Sequence, residues 1–139
     1  MVEMRLELVP VPVSDVDRAK AFYMERAGFK LEVDVRPNET MRVVQLTPPG
    51  SACTIVFGTG MQGISDMVPG SVKGLHLVVA DMDAAREELI GRGVDVGEVV
   101  EMSTVKFASF SDPDGNLWLL QEIPPDFRRP QPDSGAAGV

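Results

Sequence analysis

The chain has 139 residues and a mass of 15.0 kDa, the size of one domain with a substantial core. Thirteen Lys and Arg stand against 21 Asp and Glu, a formal charge of −8 with a pI near 4.6, which excludes electrostatic tracking of nucleic-acid phosphates and disfavours anionic membrane surfaces. Apolar residues make up 44%, no run reaches the roughly 18 that a membrane span needs, and Cys53 stands alone, so the sequence reads as a globular, soluble cytoplasmic chain without a disulfide or a cysteine metal cluster.

The opening MVEMRLELVPVP has no cationic stretch followed by an apolar one, so no secretory signal is expected. The run LVPVPV then reads as a strand that turns at an Asp into a helix, DVDRAKAFYMERA, stopped by Gly28 at the position where a left-handed residue ends a helix. Ser14 with Asp17 is expected to supply capping oxygen and negative charge at the helix start. Three strand-like runs follow: KLEVDV, MRVVQLT and ACTIVFG, with PPGS as the turn between the last two. Residues 59–73 (TGMQGISDMVPGSVK) form a glycine-rich linker. Beyond it the order repeats, with the strand GLHLVV, an Asp81-started helix ending at Gly93, and the runs VGEVVE, VKFASFS and NLWLLQE, the last two joined by DPDG. From Pro124 to residue 139, four prolines and little to bury mark a tail with Phe127 as its one docking residue.

The two halves are an internal repeat. At an offset of 66, Val13, Asp15, Asp17 and Ala19 fall on Val79, Asp81, Asp83 and Ala85. One residue is then lost, and Gly28 and Phe29 fall on Gly93 and Val94. The expected fold is α+β: one domain over residues 1–123, made of two βαβββ modules (4–58 and 74–123) that form a cupped mixed sheet and cover each other's free edges.

PVSDVDRAKAFYMERAGF and FSDPDGNLWLLQE resemble the vicinal oxygen chelate superfamily, which includes glyoxalase I, bleomycin-resistance proteins and extradiol dioxygenases. The resemblance spans roughly residues 4–123 and implies paired βαβββ modules, a homodimer, and a metal or small molecule in the cup. In metal-using members a His lies seven residues before each helix-opening Asp, and a Glu near the middle of each module's last strand. Here those positions are Leu8, Gly74, Val56 and Leu119, with a two-residue register uncertainty at Val56. Aliphatic carbon coordinates nothing, so neither a metal nor another cofactor is expected.

Period-2 alternation gives the lining instead. If Leu8 and Gly74 face the cup, so do Pro10, Pro12, His76 and Val78, and by the same parity Leu117, Leu119, Gln121, Thr54, Val56 and Gly58. Val9, Val11, Leu75, Leu77, Trp118 and Leu120 face the helices. Arg42 and Gln45 have opposite parity, so one at most reaches the cup, and spacing does not say which. Phe22, Tyr23 and Trp118 read as packing residues, and Asp112 and Asp114 as turn caps.

Two functions fit. In the first, the protein binds a small organic molecule, such as a cationic or aromatic antibiotic, in an apolar cup lined by Leu8, Pro10, Thr54, Val56, His76, Leu117, Leu119, Gln121 and, for an anionic group, Arg42. In the second, it is a metal-independent lyase, isomerase or cyclase in which His76 moves a proton while Gln121 or Arg42 steadies an oxyanion. His76 has an alternative as a side chain hydrogen-bonded within the sheet.

Overall fold

The computed structural model describes residues 1–125, so the expected tail with Phe127 lies outside the described residues beyond Pro125. Strand β1 (Leu8–Pro10) leads to helix α1 (Val16–Ala21), which continues as a π-helical turn over Phe22–Arg26. Strands β2 (Lys30–Val35), β3 (Arg42–Thr47) and β4 (Thr54–Thr59) complete the first module. The second holds β5 (Lys73–Val78), α2 (Met82–Gly91), β6 (Val100–Met102), β7 (Val105–Ser111) and β8 (Leu117–Glu122). Each module forms its own four-stranded mixed sheet, ordered β1-β4-β3-β2 and β5-β8-β7-β6, with one parallel pair (β1 with β4, β5 with β8) and the rest antiparallel.

The repeat reaches down to torsion angles. Asp15 (φ −136°, ψ 107°) accepts from the Arg18 N–H, and Asp81 (φ −137°, ψ 110°) accepts from the Ala84 N–H, each capping its helix. Ser14 is therefore not the cap. Its hydroxyl donates to Asp114 at 2.5 Å, because the β7–β8 turn of the other module arrives beside it. Both helices end at a glycine in the left-handed region, Gly28 at φ 77° and Gly93 at φ 90°. The extra residue of the first module lies between Ala19 and Gly28, where the chain widens into the π turn. A single inserted residue in a helix is accommodated in this way.

The helix-side faces of both sheets meet in one core. Val11, Tyr23, Val44, Leu46 and Phe57 of the first module join Met82, Leu89, Ala108, Phe110, Trp118 and Leu120 of the second. Polar contacts tie the modules together at both ends. Arg26 Nη1 donates to the Gly93 carbonyl at 2.9 Å and Arg92 Nη1 to the Glu25 carbonyl at 3.2 Å, a reciprocal pair between the C-terminal ends of the two helical segments. At the other end Asn116, with no exposed surface, donates from Nδ2 to the Pro12 carbonyl (2.7 Å) and to Asp112 (2.8 Å), and accepts from the Val72 N–H (3.1 Å). The modules join through their helix sides, and among the described residues no strand pairing links the two sheets. The expected mutual covering of free edges is not what forms, and β1, β2, β5 and β6 remain sheet edges. Among the described residues no helix is long and apolar enough to cross a membrane.

Candidate ligand-binding faces

Strand register assigns every side chain to the core or to the opposite, outward face. In the first sheet Leu8 lies beside Thr54, Pro10 beside Val56, and Val56 beside Gln45, which pairs in turn with Val33. Their neighbours Val9, Ile55, Leu46 and Leu31 take the helix side, and on β3 the burial pattern agrees, with Val44 and Leu46 buried and Val43, Gln45 and Thr47 half-buried; on β4 the outward-register Val56 is buried like Ile55 and Phe57. The Thr47 and Thr54 hydroxyls share a hydrogen bond at 2.8 Å, so much of their capacity is already used. In the second sheet His76 lies beside Leu119, Val78 beside Gln121, Gln121 beside Phe107, and Leu119 beside Ser109. Trp118 and Leu120, in alternation, are buried among the helices.

The proposed lining thus falls into two groups, one on each sheet: Leu8, Pro10, Thr54 and Val56 on the first, and His76, Leu117, Leu119 and Gln121 on the second. Strand pairing does not bring them together, because the two sheets share no ladder. Phe107 and Ser109 also occupy the second outward face, and sequence reasoning missed them. VKFASFS carries a Phe on each parity, so only the register with β8 tells Phe107 from the buried Phe110. Val35, Val78, Val100 and Met102 are well exposed.

Arg42 does not reach the outward face. It is 7% exposed and takes the helix-side parity next to Val44 and Leu46, where two carboxylates hold it. Its Nε and Nη2 donate to Asp34 at 3.0 and 3.1 Å, and Nη1 donates to Asp17 at 2.7 Å. Lys20 adds a contact to Asp34 at 2.7 Å. Hydrogen bonds from Arg42 and then Lys20 hold the Asp34 carboxyl far below the usual carboxylate range, and Arg42 likewise lowers Asp17. The same two acids raise Arg42 further. The guanidinium is neutralised in place, and of the Arg42–Gln45 pair it is Gln45 that faces outward.

His76 is exposed on edge strand β5. Its Nδ1 lies 2.6 Å from the Gly74 carbonyl. A carbonyl only accepts, so Nδ1 carries the proton and Nε2 holds the lone pair of the neutral ring. The ring meets Phe107 edge-on at 6.2 Å.

The DPDGN turn is structural. The buried Asp112 carboxylate accepts from the Tyr23 hydroxyl (2.7 Å), the Asn116 amide and backbone N–H groups of its own turn, and Trp118 Nε1 donates to the Tyr23 oxygen at 3.0 Å. Burial, and then the Asp112 charge, push the Tyr23 hydroxyl far above its usual range, so it stays a neutral donor. Asp114 is committed to Ser14 and Arg18.

The donor set can now be tested for a divalent ion. Leu8, Val56 and Leu119 carry hydrocarbon and Gly74 carries no side chain. Among the described residues no three His, Cys, Asp or Glu side chains converge. These residues do not fit a metal centre.

Two βαβββ modules, a DPDGN turn and outward sheet faces with apolar rows define a glyoxalase-type fold, and the chain belongs to the Glyoxalase/Bleomycin resistance protein/Dioxygenase superfamily, whose signature matches residues 5–120. Among solved structures it is similar to TnmS3, an antibiotic binding protein from Streptomyces sp. CB03234, at 36% identity and TM-score 0.76, over 89% of this chain and 99% of that one. A glyoxalase/bleomycin resistance protein from the same organism is 39% identical, with TM-score 0.70 over 84% of this chain and 98% of its own. The uncharacterized protein YetH of Bacillus subtilis (strain 168) is 28% identical over 116 residues, 82% of this chain and 94% of its own.

Proposed function

We propose that this protein is a metal-independent small-molecule-binding protein that takes up an aromatic or cationic antibiotic-like ligand. The observation that carries this reading is the replacement of all four family donor positions by Leu8, Val56, Gly74 and Leu119 on faces that keep apolar rows and isolated hydrogen-bonding groups. That is the composition of an organic-ligand site. The likeness to TnmS3, an antibiotic binding protein, supports an antibiotic-like ligand. Leu8, Pro10 and Gln45 supply the contact surface of one sheet, with Val56 between Pro10 and Gln45 already buried, and Leu117, Leu119, His76 and Gln121 supply that of the other. A second copy of the chain covers both, placing the exposed Val35, Val78, Val100 and Met102 in contact.

The test is calorimetric titration with daunorubicin, a planar aromatic amine, and with bleomycin, a cationic glycopeptide, alongside native mass spectrometry of the fresh protein. Saturable binding to a metal-free dimer is expected. Absence of saturable binding to both compounds overturns the sequestration reading, and a stoichiometric metal overturns the metal-independent one.

The orientation of His76 favours one further reading, an enzyme. A ring held through Nδ1 and presenting Nε2 has the arrangement of a general base. His76→Ala separates the two: loss of turnover of an enolisable substrate with ligand binding retained indicates catalysis, whereas weakened binding alone indicates a ligand contact.

A further inference from the structure

The outward face of the second sheet continues past the end of the short strand β6 into an open depression of about 380 Å³, lined by Asp95, Gly97, Ser109, Phe110 and Ser111. Its volume falls in the range that small-molecule sites occupy. The depression exists because β6 pairs with β7 only as far as Phe107. Beyond that point the segment after α2 approaches β7 through the single bond from the Gly97 N–H to the Ser109 carbonyl (2.8 Å), and Gly97 itself lies against the Ser109 hydroxyl.

The chemistry of the lining is one-sided. Ser109 and Ser111 share the outward parity of Phe107 and lie beside Leu119 and Leu117, while Phe110 turns its ring into the core to stack on Trp118. Asp95 is exposed, and between the buried Val94 and Val96 it takes the side away from the core. None of the lining residues is cationic. Arg86 of α2, which reaches the same segment, is already engaged with the Gly97 carbonyl (2.9 Å), the Val96 carbonyl (3.4 Å) and Glu98 (3.8 Å). Asp95 and the two serine hydroxyls thus offer a carboxylate and two neutral oxygens with no cation of the protein among them. An alkylammonium has three N–H donors and no acceptor, which the Asp95 carboxylate and the serine oxygens can take up; a carboxylate or phosphate could accept from the serine hydroxyls but meets the like charge of Asp95 and no cation.

We infer that this depression is a subsite for the ammonium group of an amine-bearing aromatic ligand, with Asp95 as its counter-ion and Ser109 and Ser111 as neutral acceptors, while the aromatic body lies over Phe107, Leu119 and His76. The inference rests on the binding function proposed above and specifies the ligand class for the same face. It also turns the overall acidity of the chain into a local requirement at one carboxylate.

The test compares daunorubicin, which carries an amino sugar, with its neutral aglycone, by calorimetry on the full-length protein and on Asp95→Asn. The wild type is expected to bind the amine about fivefold to tenfold more tightly than the aglycone, the effect of one partly exposed charge-assisted contact. In Asp95→Asn that gap closes and the aglycone affinity is unchanged, which also shows that the variant keeps its binding face. A gap that survives in Asp95→Asn overturns the subsite assignment and leaves the binding reading intact. If neither compound binds the wild type, the subsite assignment falls, and the binding reading falls with it only when bleomycin also fails to bind.

Discussion

Asn116→Asp is the sharpest test of how the modules are held together. The substitution keeps the shape of a fully buried side chain and its contact to the Val72 N–H, and changes one atom, the Nδ2 that donates to the Pro12 carbonyl at 2.7 Å and to Asp112 at 2.8 Å. Two attractive contacts become oxygen–oxygen encounters, one of them against a carboxylate. A neutral hydrogen bond contributes about 1 kcal/mol net and one to a charged group about 1.5–3 kcal/mol, and an unpaired buried charge adds to the loss. The expected cost at pH 7 is about 4 kcal/mol, a large share of the roughly 5–15 kcal/mol that holds a domain. For this chain length that corresponds to a fall in Tm of about 10 °C. Urea unfolding followed by the fluorescence of Trp118, the single tryptophan, measures it. The cost also carries a sign in pH. Like charge and burial raise the new carboxyl above its unfolded value, so its protonated form is favoured in the fold. The difference from wild type therefore shrinks as pH falls through that raised value, where the new group regains a donor. A cost below about 1 kcal/mol, or a difference that grows on acidification, refutes the role given to Asn116.

Three further outcomes follow from the same contacts. Tyr23→Phe removes the bridge between Asp112 and the Trp118 indole N–H and should cost about 2–3 kcal/mol in urea unfolding, leaving ligand affinity unchanged. Because the Asp34 carboxyl sits below its unfolded value, it contributes stability that is complete above about pH 4 and is lost as pH falls toward its folded value. Acid unfolding curves of Asp34→Asn should accordingly be flatter below pH 4 (about the unfolded carboxylate pKa) than those of the wild type. Arg42→Met should lower Tm without changing daunorubicin affinity, whereas Gln45→Ala should weaken affinity a few-fold with Tm within about 2 °C of wild type, because the two side chains occupy opposite faces of β3.

Much of the architecture was legible in the sequence because it depends on local signals. The Asp that opens each helix, the glycine that closes it and the turn residues of PPGS and DPDG act within a few residues of themselves, and the repeat states each of them twice. Even the one-residue offset between the halves had a local meaning, since it lies in the span where α1 widens into its π turn. What stayed illegible was non-local. Ser14 looked like a cap because nothing nearby showed that Asp114, a hundred residues on, would take its hydroxyl. Arg42 and Gln45 were equivalent until the register with β2 placed Asp34 beside Val44 and so put a carboxylate on the helix side.

The sequence by itself thus determined the order of elements and the two-module α+β plan, which follow from residue identity and short-range spacing. Only the tertiary structure decided that the modules join through their helix sides and not their sheet edges, and that the candidate lining is split between two separate sheets. It also decided that Asp95, Ser109 and Ser111 share one depression. These are outcomes of packing between segments far apart in the chain, where period-2 alternation names the two faces of a strand and leaves open what each face will meet.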